Sequence, residues 1–242
     1  MINITDLSVH YGQEAALDHI SLSIENETSC SIIGASGCGK TTLLLTLAGI
    51  LKPDTGIVEI GGRVLKGVRR GTGLILQEFG LLPWKTVWDN ISFPLKSRGC
   101  LNAENEKRTG EVLKTLGLTD FAEKFPGELS GGQKQRVAIS RALVLEPDLL
   151  LMDEASSSLD AITREHIQDL ILSICSEKRV TLLLSTHNIE EAVFLGRKIV
   201  VMSSGKIKQI LDNPVFGRIG LRKDPEFYST CVRVRECLDE EA

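Results

Sequence analysis

Apolar residues fall at every second position around Ile20, Leu22 and Ile24. That is the period of a strand with one buried and one wet face, so the front of the chain is predicted to form half-buried antiparallel strands. From Ser29 the pattern changes. SCSIIG is a short unbroken apolar run and reads as a buried strand. TTLLLTLAGIL after it predicts a helix with Leu43, Leu44, Leu47 and Leu51 on one face. Turn-forming KPDTG and GGR lead to two further strands, IVEI and GLIL. From about Phe79 to Leu143 strand signals give way to helical ones, with Val112, Leu113 and Leu116 spaced for a helix face. This stretch reads as a helical insertion. Three buried strands then alternate with helices, DLLLMDE, VTLLLST and KIVVM, which predicts an α/β fold with a mostly parallel sheet covered on both sides. KIKQI reads as an edge hairpin strand and LDEEA as a frayed acidic end. No internal repeat or low-complexity stretch interrupts the pattern, and one domain over 1–242 is expected.

Composition narrows the class. Apolar residues make up 42% and charged residues 25% of 242, an ordinary balance for a globular protein. A net charge of −4 gives no global pull toward nucleic acid or an anionic membrane, so no nucleic-acid partner is expected. The longest apolar run, residues 43–51, is far short of the ~20 residues of a membrane span. MINITDLSVHYG has no basic stretch followed by an apolar one and is not read as a signal peptide. Six scattered cysteines without a CxxC pair read as reduced thiols of a cytosolic protein.

The chemistry begins at GASGCGKT, which follows the buried strand SCSII and opens a helix. Gly34, Gly37 and Gly39, with Ala35, Ser36 and Cys38 between them, let the backbone wrap phosphate oxygens. The positive end of the helix beginning at Lys40, Thr41 and Thr42 adds attraction for an anion. Lys40 is expected to reach the β- and γ-phosphates of ATP, and the Thr41 hydroxyl to ligate Mg²⁺. Cys38, beside Lys40 and near a helix N-terminus, is either a reactive thiolate or simply a small residue that fits. In DLLLMDE, Asp153 and Glu154 stand at the carboxyl end of a buried strand, where open α/β sheets place ligands. Asp153 is expected to hold Mg²⁺, mostly through water, and Glu154 to polarise the attacking water. In LSGGQ, Ser130 can cap the helix running to Leu143, leaving Gly131 and Gly132 as bare backbone donors ahead of Gln133.

The stretches GASGCGKT, LSGGQKQR and LLLMDE, in that order, resemble the ATP-binding-cassette (ABC) ATPases from end to end. The resemblance implies a P-loop NTPase ABC cassette: a RecA-like, mostly parallel core, an N-terminal antiparallel β subdomain, and a helical subdomain over about 79–143. It further implies that Ser130, Gly131, Gly132 and Gln133 cover the γ-phosphate held by a second cassette, packed head to tail. Four single residues fit the same family pattern. Gln77 looks like the Q-loop glutamine that senses Mg²⁺ and γ-phosphate, His187 like the switch histidine, and Asp160 like the D-loop aspartate that speaks across the dimer. Tyr11 looks like the aromatic that stacks on adenine, or is an edge-strand aromatic. One departure is Ala155, where the family usually has proline after the glutamate; its absence should loosen the turn that follows but removes no catalytic group.

QEFGLLPWKTVWDNISFPL is similar to the Q-loop and following helix of ATPase subunits from the nitrate, sulfonate and taurine class of bacterial importers, and MDEASSSLDAITRE and KDPEF agree with it. Leu81, Leu82, Pro83 and Trp84 form an apolar loop, with Trp88 just beyond. These side chains either pack internally or form a groove for a helix of a membrane permease, and both readings can hold for different residues. The expected partners are thus a second cassette subunit, a permease and, indirectly, an extracytoplasmic solute-binding protein. The expected place is the inner face of the cell membrane. An exporter motor or a soluble ABC protein is the alternative; the first commonly carries a fused membrane domain, the second a long coiled-coil insertion or two cassettes.

Overall fold

The structure is a computed structural model that describes residues 1–100, 102–155 and 159–239. Two sheets form. The first is four-stranded and antiparallel: β1 (Ile2–Tyr11), β2 (Glu14–Ile24), β4 (Thr55–Ile60) and the two-residue β5 (Arg63–Val64), in the order β2-β1-β4-β5. The second joins β3 (Ser29–Ile33), β6 (Thr72–Ile75), β7 (Leu149–Asp153), β8 (Thr181–Thr186), β9 (Lys198–Ser203) and β10 (Lys206–Asp212), in the order β10-β9-β3-β8-β7-β6. Five of these run parallel, and β10 closes the edge as the antiparallel arm of a hairpin with β9. The predicted mostly parallel sheet, the front antiparallel strands and the KIKQI hairpin are all present.

Alternation explains why the central strands read as unbroken apolar runs. In β7, Leu149 and Leu151 enter one core while Leu150 and Met152 enter the other. In β9, Val200 and Met202 face the first core and Ile199 and Val201 the second. The first core is closed by the antiparallel sheet and by α1 (Lys40–Leu47); the second is filled mainly from helices. A strand covered on both faces has no polar face to show.

The second core takes its helices from α2 (Val87–Ser97), α3 (Ala103–Thr115), α4 (Gly131–Leu143), α5 (Ala161–Glu177), α6 (Ile189–Leu195) and α7 (Pro225–Asp239). The first three make up the expected helical insertion, and Val112, Leu113 and Leu116 are buried together as their spacing implied. The LDEEA end divides: Leu238 and Asp239 belong to α7, and the remaining residues lie outside those described.

The expected helix face through Leu51 is corrected. α1 ends at Leu47, so Leu51 lies beyond it. Gly49 stops the helix, with φ of 73° and its N–H on the Thr46 carbonyl, while Ile50 N–H reaches back to Leu45. Such a left-handed residue after the last turn is the common way to satisfy terminal carbonyls. A Cβ on Gly49 would lie 2.1 Å from the Gly67 carbonyl oxygen. Gly49→Ala therefore meets both an unfavourable φ and a backbone clash, and is expected to cost about 2–4 kcal/mol of stability, read from the urea-unfolding midpoint.

Candidate active site

At the carboxyl ends of β3, β8, β7 and β6 stand, in spatial order, residues 34–41, His187, Asp153 with Glu154, and Gln77. Because these strands are parallel neighbours, their carboxyl ends meet at one edge, the place where such sheets bind ligands. Register sets the fine alignment: Ile33 pairs with Thr186, and Asp153 with Ser185.

The start of α1 differs from that of the other helices whose caps are defined. Thr86, Asn102, Ser130, Asp160 and Asn188 each place a side-chain oxygen on a backbone N–H in the first turn of α2, α3, α4, α5 and α6. α1 is preceded by Gly39 at φ 104°, which offers no side-chain acceptor. Its first N–H groups are therefore left for an anion. Ala35, Ser36 and Gly37 are exposed, as is Thr41, whereas Thr42 is buried. The Lys40 side chain is almost wholly buried and donates to the carbonyls of Gly34 and Ala35, both at 2.9 Å. That holds its ammonium within the loop it is expected to serve.

Glu154 is the junction. One carboxylate oxygen lies 3.5 Å from Lys40 Nζ and the other 3.0 Å from His187 Nδ1. Its backbone is left-handed, φ 45°, and its N–H donates to the Ser185 carbonyl at 3.1 Å. Asp153 beside it is buried and accepts from the Ser185 hydroxyl at 2.5 Å. The two carboxylates thus occupy different settings, one sunk and hydrogen-bonded, the other between two cationic-capable groups. Asp153, the Thr41 hydroxyl and the Gln77 amide are all hard oxygen donors, a set that suits Mg²⁺. Among the described residues no cluster of three or more His, Cys, Asp or Glu could cage a metal unaided.

Other predicted residues stand apart from this junction. Tyr11 is exposed at the end of β1; the β1–β2 hairpin meets the loop through Ala16, whose carbonyl lies 2.4 Å from where a Gly39 Cβ would sit. Ser130 and Gln133 form a reciprocal cap, with Ser130 Oγ accepting from Gln133 N–H and Gln133 Oε1 accepting from Ser130 N–H. A Cβ on Gly132 would come within 2.5 Å of Thr163 Cγ2, so close packing of α4 on α5 is one reason for that glycine. Asp160 caps α5, and the Thr163 N–H on its carboxylate holds the group below its usual range. The serines after Ala155 lie outside the described residues; Ala155 itself is buried. Cys38 is only 6% exposed and belongs to the first core, which favours the reading of a small residue that fits over that of a reactive thiolate.

The sequence did not reveal two supports. Arg141 on α4 donates to the carbonyls of Phe79 and Gly80, just past Gln77, at 2.5 and 2.6 Å. Both acceptor residues have positive φ, and burial pushes the Arg141 pKa down. The fully buried Asn90 amide bonds to Leu82, Lys85 and Thr86, fixing the loop that carries Trp84. Trp84 is 72% exposed on that loop, whereas Leu81 and Trp88 pack partly against the core.

Residues 17–157 match the family described as ABC transporter. The taurine import ATP-binding protein TauB of Pseudomonas aeruginosa is 40% identical over 238 residues, covering 95% of this chain and 89% of that protein. A dimeric structure of the ATP-binding cassette MJ0796 in a post-hydrolysis state with ADP and Pi is 32% identical, with a TM-score of 0.78 over 88% of this chain and 98% of that one. The cbiO1 protein of Clostridium perfringens, part of the ABC transporter complex cbiONQ, is 27% identical, with a TM-score of 0.80 over 97% and 93%.

Lys40→Ala removes the buried cation and is expected to weaken nucleotide binding by about 1.5–3 kcal/mol, read by titration with a fluorescent nucleotide. Unchanged affinity would contradict the loop's assignment.

Proposed function

This chain belongs to the ABC transporter family, and from that premise we propose that it is the motor subunit of a bacterial importer of the nitrate, sulfonate and taurine class. The observation that carries the mechanism is the Glu154 carboxylate held between Lys40 and His187 at the carboxyl edge of the sheet. The chain is an ATPase, one cassette domain with its helical subdomain at about 79–143, and the reading assigns the steps of hydrolysis to named groups. The free N–H groups of α1 and the Lys40 ammonium hold the phosphates, and Tyr11 stacks on adenine. Thr41, Gln77 and Asp153 would hold Mg²⁺, which would neutralise phosphate charge. Glu154 takes a proton from the attacking water, and His187, hydrogen-bonded to it, keeps the carboxylate aimed. Ser130, Gly131, Gly132 and Gln133 complete the site of a second cassette packed head to tail, and Asp160 lies at that same contact.

Coupling runs through the loop after Gln77. Trp84 projects from a loop stapled by Asn90, while Arg141 ties the same stretch to the helix that Ser130 caps. An exposed aromatic on a rigid loop is a low-entropy anchor for a partner helix, here one from a membrane permease. Among the described residues no helix is long and apolar enough to cross a membrane. The chain reaches the cytoplasmic face of the membrane through that permease, with an external solute-binding protein acting on the far side. The taurine import function of a relative supports a small sulfonate or similar anion as the solute.

Glu154→Gln keeps the shape but cannot accept the proton, so steady-state ATP turnover should fall to background while ATP binding persists. With closure no longer relieved by hydrolysis, the variant should run as a dimer in gel filtration with ATP. Substantial turnover would remove Glu154 from the catalytic role. Trp84→Ala should cost ~2 kcal/mol or more of permease binding while the isolated subunit keeps its fold and basal ATPase. Co-purification with the permease, beside a melting curve, separates this from a core role for the tryptophan.

A further inference from the structure

The turn that bears His187 is held from both sides by one buried hydroxyl. Thr186 Oγ1 donates to Glu191 Oε2 at 2.6 Å and accepts the Asn188 N–H at 3.0 Å. Glu191 is a buried carboxylate in the first turn of α6, unused by the mechanism above. Its other oxygen accepts from Gln168 Nε2 of α5 at 3.3 Å. The Gln168 carbonyl oxygen in turn accepts from Arg222 Nη2 at 3.1 Å. Polarity fixes this order. A carboxylate only accepts and a guanidinium only donates, and the primary amide between them supplies a donor to the one and an acceptor to the other.

Arg222 lies after β10, in the short turn Leu221–Lys223 ahead of α7. Its guanidinium sits 3.6 Å from the ring centroid of Phe194 on α6, while Nη1 bonds the Asp169 carboxylate of α5 at 2.9 Å. One side chain therefore fastens α5, which Asp160 caps, to α6, which follows the His187 turn.

We propose that Arg222 and Gln168 are positioning residues for ATP hydrolysis, setting the His187 turn against Glu154 through Glu191 and Thr186. The segment following β10 is thereby part of the hydrolytic machinery. The inference rests on the assignment of Glu154 and His187 as the hydrolytic pair. A hydrogen-bonded polar chain, here buried at Thr186, Glu191 and Gln168 and half-buried at Arg222, gives a rigid link between elements, and cutting it in the middle frees both ends. The link ends on the histidine turn and leaves the phosphate loop alone, so it bears on turnover and spares ATP affinity.

The test is steady-state ATPase of the full chain carrying Gln168→Leu, Arg222→Ala and both together, with Glu154→Gln as reference. Gln168→Leu and Arg222→Ala should each lower kcat about tenfold with KM for ATP within about twofold, and the double variant should be no worse than the weaker single, because both cut one chain. Arg222→Lys keeps a cation over Phe194 but loses the fork, and should recover part of the rate. It also substitutes for Arg222→Ala if that variant does not fold. Unchanged kcat in folded Gln168→Leu, a loss confined to KM, or effects of the two variants that multiply would each overturn the proposal. Turnover retained in Glu154→Gln would instead remove the underlying catalytic assignment, so the two failures are distinguishable.

Discussion

Parallel pairing of β6, β7, β8, β3 and β9 forces every return connection through a crossover, and it brings all five carboxyl ends to one side. The groups that meet there come from points far apart in the chain: Lys40, Asp153, Glu154 and His187. No local sequence preference holds them together. The ladder does, through partners such as Ile33 with Thr186 and Asp153 with Ser185. A one-residue slip of β8 would send Ser185 to the opposite face and take the hydroxyl from Asp153. Such a slip would also carry Thr181 or Ser185 into a place that a buried leucine of the run Leu182, Leu183 and Leu184 now fills. Core packing and site geometry are therefore one constraint.

The fold was legible where a period or a turn signal governed the backbone. Unbroken apolar runs announced β3, β7, β8 and β9, and alternation announced β2. The phosphate loop and the acidic pair could be placed because each sits directly on a strand end. The stop of α1 was misread because Leu51 continues the apolar spacing, while Gly49 ends the helix through its own φ, packed so close to Gly67 that a side chain would not fit, and no sequence pattern displays that. The two-residue β5 carries too little pattern to be seen. Cys38 was weighed by its neighbours in sequence, which do not show that it is buried in the core. The links from Arg141 to Phe79 and from Arg222 to Gln168 span 62 and 54 residues, and neither has a local signature.

Those long links share a design. Arg141, Asn90 and Arg222 each join a helix to a connecting segment with several hydrogen bonds from one planar group. Apolar contacts would hold such segments near, but they tolerate sliding. Directional bonds fix the approach as well as the distance, and leaving them unmade inside the protein is costly. The parts so fastened are those that follow Gln77, precede Trp84 and flank His187. All three surround residues whose proposed work depends on nucleotide state, so the connections around the site are stiffer than their irregular backbone implies.

Glu154 carries its side chain on a left-handed backbone, φ 45°. For any residue but glycine that conformation is unfavourable, by about 1–2 kcal/mol. The bond from its N–H to Ser185 and the burial of both neighbours, Asp153 and Ala155, hold it there. Fitness for folding and the chemistry proposed for this carboxylate therefore point in opposite directions at this position. A glycine would relax the backbone and abolish the carboxylate. With the catalytic role proposed for Glu154, directed evolution of this chain under heat alone would drift toward that loss, and a selection that also demands nucleotide turnover would keep the acid in place.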